Sequence, residues 1–103
     1  LPLIDVNLSN TSNFVNKRFY LNNCYPNPAS GSATFSFYLN NDADVELNIY
    51  NMKGKEVKKV FKGRKLMGEH KITTELNDLI PGNYIYSIKA GLLNDSKSLV
   101  IIR

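Results

Sequence analysis

An all-β chain, folded as an Ig-like antiparallel β-sandwich of about seven strands, is what the sequence predicts, and three observations carry that expectation. Apolar and polar residues alternate along most segments, which places alternate side chains on opposite faces of a strand. Turn-forming clusters of Asn, Asp, Gly and Pro recur at roughly the 8- to 12-residue spacing of sandwich domains. No segment of useful length shows the 3.6-residue period of an amphipathic helix. Composition agrees, with six tyrosines, five phenylalanines and no tryptophan in 103 residues. At 43% apolar and 21% charged residues, the chain sits near the globular average rather than in the disordered class. Its length suits one domain that buries roughly 60 to 70% of its unfolded surface.

Residues 1–18 read as a linker that can contribute one edge strand, because "LIDVNL" alternates while "SNTSN" behind it is polar. The sandwich is expected over 19–103. "CYPNPASG", residues Cys24 to Gly31, reads as its entrance turn. Pro26 and Pro28 fix φ and hold the residues before them extended, and Asn27 between them suits a turn. "ATFSFYLN" follows with Phe35, Phe37 and Leu39 on one face, then "DVELNIYN" with Val45, Leu47 and Ile49 inward. The intervening "NNDA" predicts a hairpin between those two strands. Lys53-Gly54 predicts a tight reversal with positive φ at Gly54. "KEVKKVFKG" and "EHKITTEL" continue as strands on either side of a loop around Arg64 to Gly68. Asn77 to Asn83 read as a long turn whose Leu79 and Ile80 plug the end of the core. "YIYSIKAG" resumes the alternation, "LLND" reads as a loop, and "SKSLVIIR" supplies the last strand. The expected core is Phe35, Phe37, Val45, Leu47, Ile49, Val57, Ile72, Leu76, Tyr84, Tyr86, Ile88, Leu99 and Ile101.

Catalytic chemistry finds little support. The single cysteine makes no internal disulfide, and its one conceivable base is the single histidine, His70. A buried structural thiol is the commoner role for such a cysteine. Asp42, Asp44 and Glu46 supply hard oxygen ligands, but the glycine and distal glutamate of a calcium loop are missing, and a solvated turn accounts for them. There is no phosphate-cradling glycine loop and no nucleophile elbow. The sequence calls for no catalytic residue, no metal and no cofactor. Tyr25, Tyr38 and Tyr50 are candidates for a sugar-stacking platform, set against ordinary edge packing of their rings.

The net charge of +4 is unevenly placed. Lys53, Lys55, Lys58, Lys59, Lys62, Arg64 and Lys65 crowd one segment that can meet phosphate groups, yet only Phe61 interleaves there and no nucleic-acid-binding spacing appears. Lysines that keep a solvated edge strand from pairing are the better account. No apolar run approaches the roughly 20 residues that cross a bilayer as a helix. The chain opens on Leu1 without a visible signal peptide, and so reads as a piece of a longer protein.

Four stretches in order, "FYLNNCYPNPASGSATFSFYL", "VELNIYNMKGKEV", "LIPGNYIYSIKAG" and a terminal "SKSLVIIR", resemble the C-terminal sorting domain (type A) of the type IX, or Por, secretion system. The resemblance covers residues 19–103. It implies an Ig-like sandwich at the end of a secreted bacterial protein, one that is a substrate and address tag rather than an enzyme. It implies as partners a cargo protein N-terminal to the domain, the outer-membrane secretion translocon and a sortase-like cysteine endopeptidase that removes the tag, with no nucleic acid. Transit through the periplasm to the cell surface or beyond follows from the same resemblance. The family's tight-turn glycine falls on Gly54, its G-x-Y pattern on Gly82 and Tyr84, and its proline turn on Tyr25, Pro26, Asn27 and Pro28. Its terminal pattern falls on Lys97, Leu99, Val100, Ile101 and Arg103, making these with Gly82 and Tyr84 the candidate recognition residues. The chain departs from the family at Cys24, where asparagine is usual, and at Ala29, where an aromatic is common. An apolar terminal strand with an exposed backbone edge suits strand addition by a receptor, and an exposed edge equally leaves room for a dimer. A non-catalytic accessory module, carbohydrate-binding or spacer, is the alternative.

Overall fold

A computed structural model of the chain describes residues 19–103; the expected linker over 1–18, with its edge strand, lies outside the described residues. Seven strands follow one another: β1 (Phe19–Leu21), β2 (Ser32–Leu39), β3 (Ala43–Asn51), β4 (Glu56–Lys65), β5 (Gly68–Glu75), β6 (Gly82–Ala90) and β7 (Leu93–Ile101). They form a three-stranded sheet in the order β1-β2-β5 and a four-stranded sheet in the order β4-β3-β6-β7. Every named pairing is antiparallel. This is the predicted sandwich. One face of each sheet is solvated and the other turned inward, which the alternating pattern demands.

The inner faces meet in a core that includes Phe35, Phe37, Val45, Leu47, Ile49, Leu76, Tyr84, Tyr86, Ile88, Leu99 and Ile101. Phe35 and Tyr86 cross the gap between the sheets as an edge-to-face pair, ring centroids 4.9 Å apart. Val57 and Ile72 are only partly buried, because β4 and β5 are outer strands whose inner faces are covered from one side. Leu21, Cys24, Ala29, Ala33, Leu39, Leu79 and Ala90 join the core as well.

Four local expectations are corrected. β2 and β3 do not form a hairpin: β2 pairs with β1 and β5, β3 with β4 and β6. Asn40 to Asp42 therefore carry the chain from one sheet to the other, a connection that turn residues allow but do not distinguish from a hairpin. The loop expected around Arg64 to Gly68 narrows to Leu66 and Met67. Leu79 plugs the core, but Ile80 is 77% exposed. "LLND" is no loop: Ala90 pairs with Leu93 around a two-residue turn of Gly91 and Leu92, with Gly91 at φ 64°, a sign that two-residue hairpins favour.

The β3–β4 hairpin forms as predicted. Gly54 has φ 84°, and the Asn51 side-chain oxygen accepts from the backbone N–H of Lys53 at 2.9 Å and of Lys55 at 3.0 Å. The strand registers fix two opposite ends of the sandwich. Phe19 pairs with Leu39, Leu39 with Gly68 and Ala43 with Lys65, so the chain enters at the end carrying the Leu66–Met67 and Gly91–Leu92 turns. Ile101 pairs with Gly82 at the other end, beside the Asn77–Pro81 turn.

Candidate functional site

The candidate recognition residues gather on β7 and the segments packed against it. Along this strand, successive backbone groups point alternately toward β6 and toward the strand's outer edge. Val100 and Ile102 point outward, and both are occupied. The side-chain amide of Asn27 donates to the Ser98 carbonyl at 3.1 Å and accepts from the Val100 N–H at 3.0 Å. Ala29 donates its N–H to the Val100 carbonyl and accepts from the Ile102 N–H, each at 2.8 Å. Ala29 and Ile101 thereby form a parallel bridge. The Tyr-Pro-Asn-Pro turn thus lies along the second half of the terminal edge, and the edge is exposed only in part. By the same alternation, the outward groups of Asn94 and Ser96 belong to the other half, where the Ser96 N–H turns to its neighbour's Asp95 carboxylate at 2.8 Å.

The turn is anchored from inside by Tyr86. Its buried hydroxyl accepts from the Cys24 N–H at 2.8 Å and donates to the Asn22 carbonyl at 3.1 Å. Burial, first of all, pushes the Tyr86 hydroxyl's pKa well above its ordinary value. A hydroxyl that stays protonated can serve both partners.

Arg103 closes the same end. Its guanidinium donates to the carbonyls of Ser30 at 2.8 Å and Leu76 at 3.0 Å, and to that of Leu79. One side chain therefore joins the entrance turn, the start of the β5–β6 connection and its middle. Tyr84, at the start of β6, donates its hydroxyl to the Ile80 carbonyl four residues upstream, the tyrosine corner of Ig-like sandwiches. Gly82 opens that strand.

Of the candidates, Leu99, Ile101 and Tyr84 are buried, Lys97 and Val100 half-buried, and Gly82 and Arg103 exposed. Pro26, Asn27 and Pro28 lie exposed on the outside of the turn. The sequence marked Asn27 as a turn former but gave no sign that its amide reaches 73 residues along the chain to Val100. Two flanking prolines, neither able to donate an N–H, are the signal that a side chain must supply the missing ladder bond. Ala29 is fully buried against Ile101, and its small side chain fits that close approach.

The alternative chemistries do not assemble. Cys24 is 3% exposed, and burial, only partly offset by its hydrogen bonds, raises its thiol pKa, the opposite of an activated nucleophile. His70 hydrogen-bonds the Leu66 carbonyl at 2.6 Å and lies against the Phe37 ring; no hydrogen bond joins it to Cys24. The three carboxylates go separate ways: Asp42 accepts from the Met67 N–H, Asp44 meets Arg64, and Glu46 meets Lys59 and Asn48. Among the described residues no group of three or more His, Cys, Asp or Glu is placed to hold a metal.

Tyr38 and Tyr50 lie on different sheets. Tyr38 stacks on Tyr20 at 5.5 Å and 17°, which covers one face of each ring.

The basic segment is β4, an outer strand. Lys58 pairs with Asp78 at 2.9 Å, Lys59 with Glu46 at 2.9 Å and Arg64 with Asp44 at 3.5 Å. The Lys65 ammonium sits 4.7 Å from the centre of the Phe61 ring. Much of the charge is thus balanced along the edge it guards.

Residues 23–102 match the family described as the secretion system C-terminal sorting domain. No curated protein and no solved structure matches the chain. The family is a sorting signal of type IX secretion rather than a catalytic one, and a protein bearing it is exported to the cell surface or the extracellular space. Because the match takes in the proline turn, β2 to β7 and the edge contacts that join them, the chain belongs to the C-terminal sorting domains of the type IX secretion system.

Proposed function

We propose that this domain addresses a cargo protein N-terminal to it, delivered to the periplasm, to the outer-membrane translocon of the type IX system. A sortase-like endopeptidase then removes the domain by cutting within residues 1–18, where "SNTSN" has the small polar composition of segments that proteases cleave. The family match carries this reading. The recognised surface is the terminal strand with the Leu92 to Ser96 segment. Lys97, Val100 and Arg103 act on its accessible side. Leu99, Ile101, Tyr84 and Gly82 hold it in shape.

Deleting Leu99 to Arg103 from a cargo fusion is expected to leave the cargo in the periplasm; normal export of that truncation would sink the reading. Because the deletion also removes core, a folded variant is needed beside it. Ser96→Pro blocks strand addition at an outward N–H while leaving the β6 pairing intact. Export is expected to fall with an unchanged circular dichroism spectrum.

A further inference from the structure

We propose that the Tyr-Pro-Asn-Pro turn is a removable cap on the terminal strand, displaced by an extended segment of a partner protein running parallel to β7 along the path the turn now takes. The proposal rests on the sorting reading above and names how that surface is gated. Three observations support it.

First, the cap imitates a strand. The Asn27 amide bonds Ser98 and Val100 as a peptide group would, and the Ala29 backbone continues the parallel ladder to Val100 and Ile102. The edge is therefore shaped for parallel pairing and filled by a substitute.

Second, the substitute is incomplete. Pro26 and Pro28 donate nothing, and the cap ends at Ser98, leaving the outward groups of Asn94 and Ser96 to solvent or to a local carboxylate. A true strand pairs along the whole edge, so exchange gains backbone hydrogen bonds.

Third, the cap is fastened at its ends, where Tyr25 bridges to Thr34 and Ser30 accepts from Arg103, and carries little buried apolar surface between them. From Tyr25 to Ser30 every residue is exposed except Ala29, whose methyl group is a small anchor. Segments with few buried apolar contacts open at low cost. Cys24 on Tyr86, Tyr25 on Thr34 and Gly31 on Leu76 hold the chain on either side, so lifting Asn27 to Ala29 breaks the edge contacts and leaves the two sheets in place.

The test uses the whole chain fused to its cargo. Asn27→Ala is expected to speed amide hydrogen exchange at Val100 and Ile102 by about tenfold or more, with Leu99 and Ile101, bonded to β6, unchanged. A photoreactive phenylalanine derivative at Ser96 is expected to cross-link to the export machinery in intact cells at least about threefold more in the Asn27→Ala background. Asn27→Leu, close in size and able to bond neither Ser98 nor Val100, is expected to change both readouts in the same direction and covers the case in which the alanine variant fails to fold.

Unchanged exchange in both variants would show that Asn27 does not hold the edge and overturn the proposal. Faster exchange without more cross-linking would overturn the gate while leaving the sorting reading intact. Dimerisation of the variants in sedimentation, with no gain in cross-linking, would assign the freed edge to a second copy instead. Failure of the unmodified fusion to be exported would count against the sorting reading itself.

Discussion

Tyr86 carries a polar atom into the middle of an apolar core, and its hydroxyl joins Asn22 and Cys24 to a strand more than sixty positions away. Tyr86→Phe keeps the ring against Phe35 but leaves a buried N–H and a carbonyl without their partner. The expected loss is about 1 to 3 kcal/mol of unfolding free energy, read by urea denaturation. Glu46 shows a second residue-scale effect. The Asn48 amide and the Lys59 ammonium hold its carboxyl down to about 2, against an ordinary value of 4.5. A depressed carboxylate pKa contributes stability that is present above the unfolded value and lost as pH falls through the folded one. Melting temperature is therefore expected to decline between about pH 4.5 and 2 in part through this group. Glu46→Gln should make that decline shallower. At this scale the contacts made by single side chains were the least legible part of the sequence. The lone Cys24 and His70 gave no reason to expect a catalytic pair, whereas nothing local to Tyr86 announced its partners, which the fold alone brings near.

Among the strands, β4 best shows what periodicity can and cannot tell. Its lysines suggested a solvated edge, and the strand is an edge; its two register shifts against β3 were invisible, because a bulge disturbs pairing rather than composition. Bulges and lysines are both devices that discourage a sheet from continuing into a neighbour. Replacing Lys62 and Arg64 together by valine is expected to produce concentration-dependent association in sedimentation while the monomer's spectrum is unchanged. The alternation of β2 and β3 was equally legible, but not their partners. A strand's inward face is written in its own residues; the sheet it joins depends on distant ones. That is why a corner between the two sheets read as a hairpin. β7 shows the same division, since the loop assigned to "LLND" hides the start of a strand whose polar residues occupy both faces, Asn94 and Ser96 exposed and Asp95 and Lys97 half-buried.

Across the molecule, Arg103 links the entrance turn to the β5–β6 connection through three backbone carbonyls. Arg103→Ala is expected to cost about 1.5 to 3 kcal/mol, the range for hydrogen bonds to a charged group. Arg103→Lys should recover only part of it, because an ammonium lacks the planar fork that reaches several carbonyls at once. Chemical denaturation of the three proteins separates these outcomes. The sandwich as a whole was readable from six alternating segments and their turns; β1, three residues long, is too short to show a period. The terminal edge was not, because its cover comes from the other end of the domain.

The clasp between Asn27 and Val100 also has a consequence in time. A ribosome makes the entrance turn well before the strand that holds it, with 73 positions between their hydrogen-bonding partners. Pairings of such long range form slowly, since loop closure precedes any gain from contact. Until β7 is made, Asn27 and Ala29 lack their edge partners, and the segment leading to them is held by Tyr86 and by β2 through Ser36 and Thr34. The closed end of this domain is therefore displayed only by a chain translated through to Arg103, and its shape is a record that synthesis has run that far.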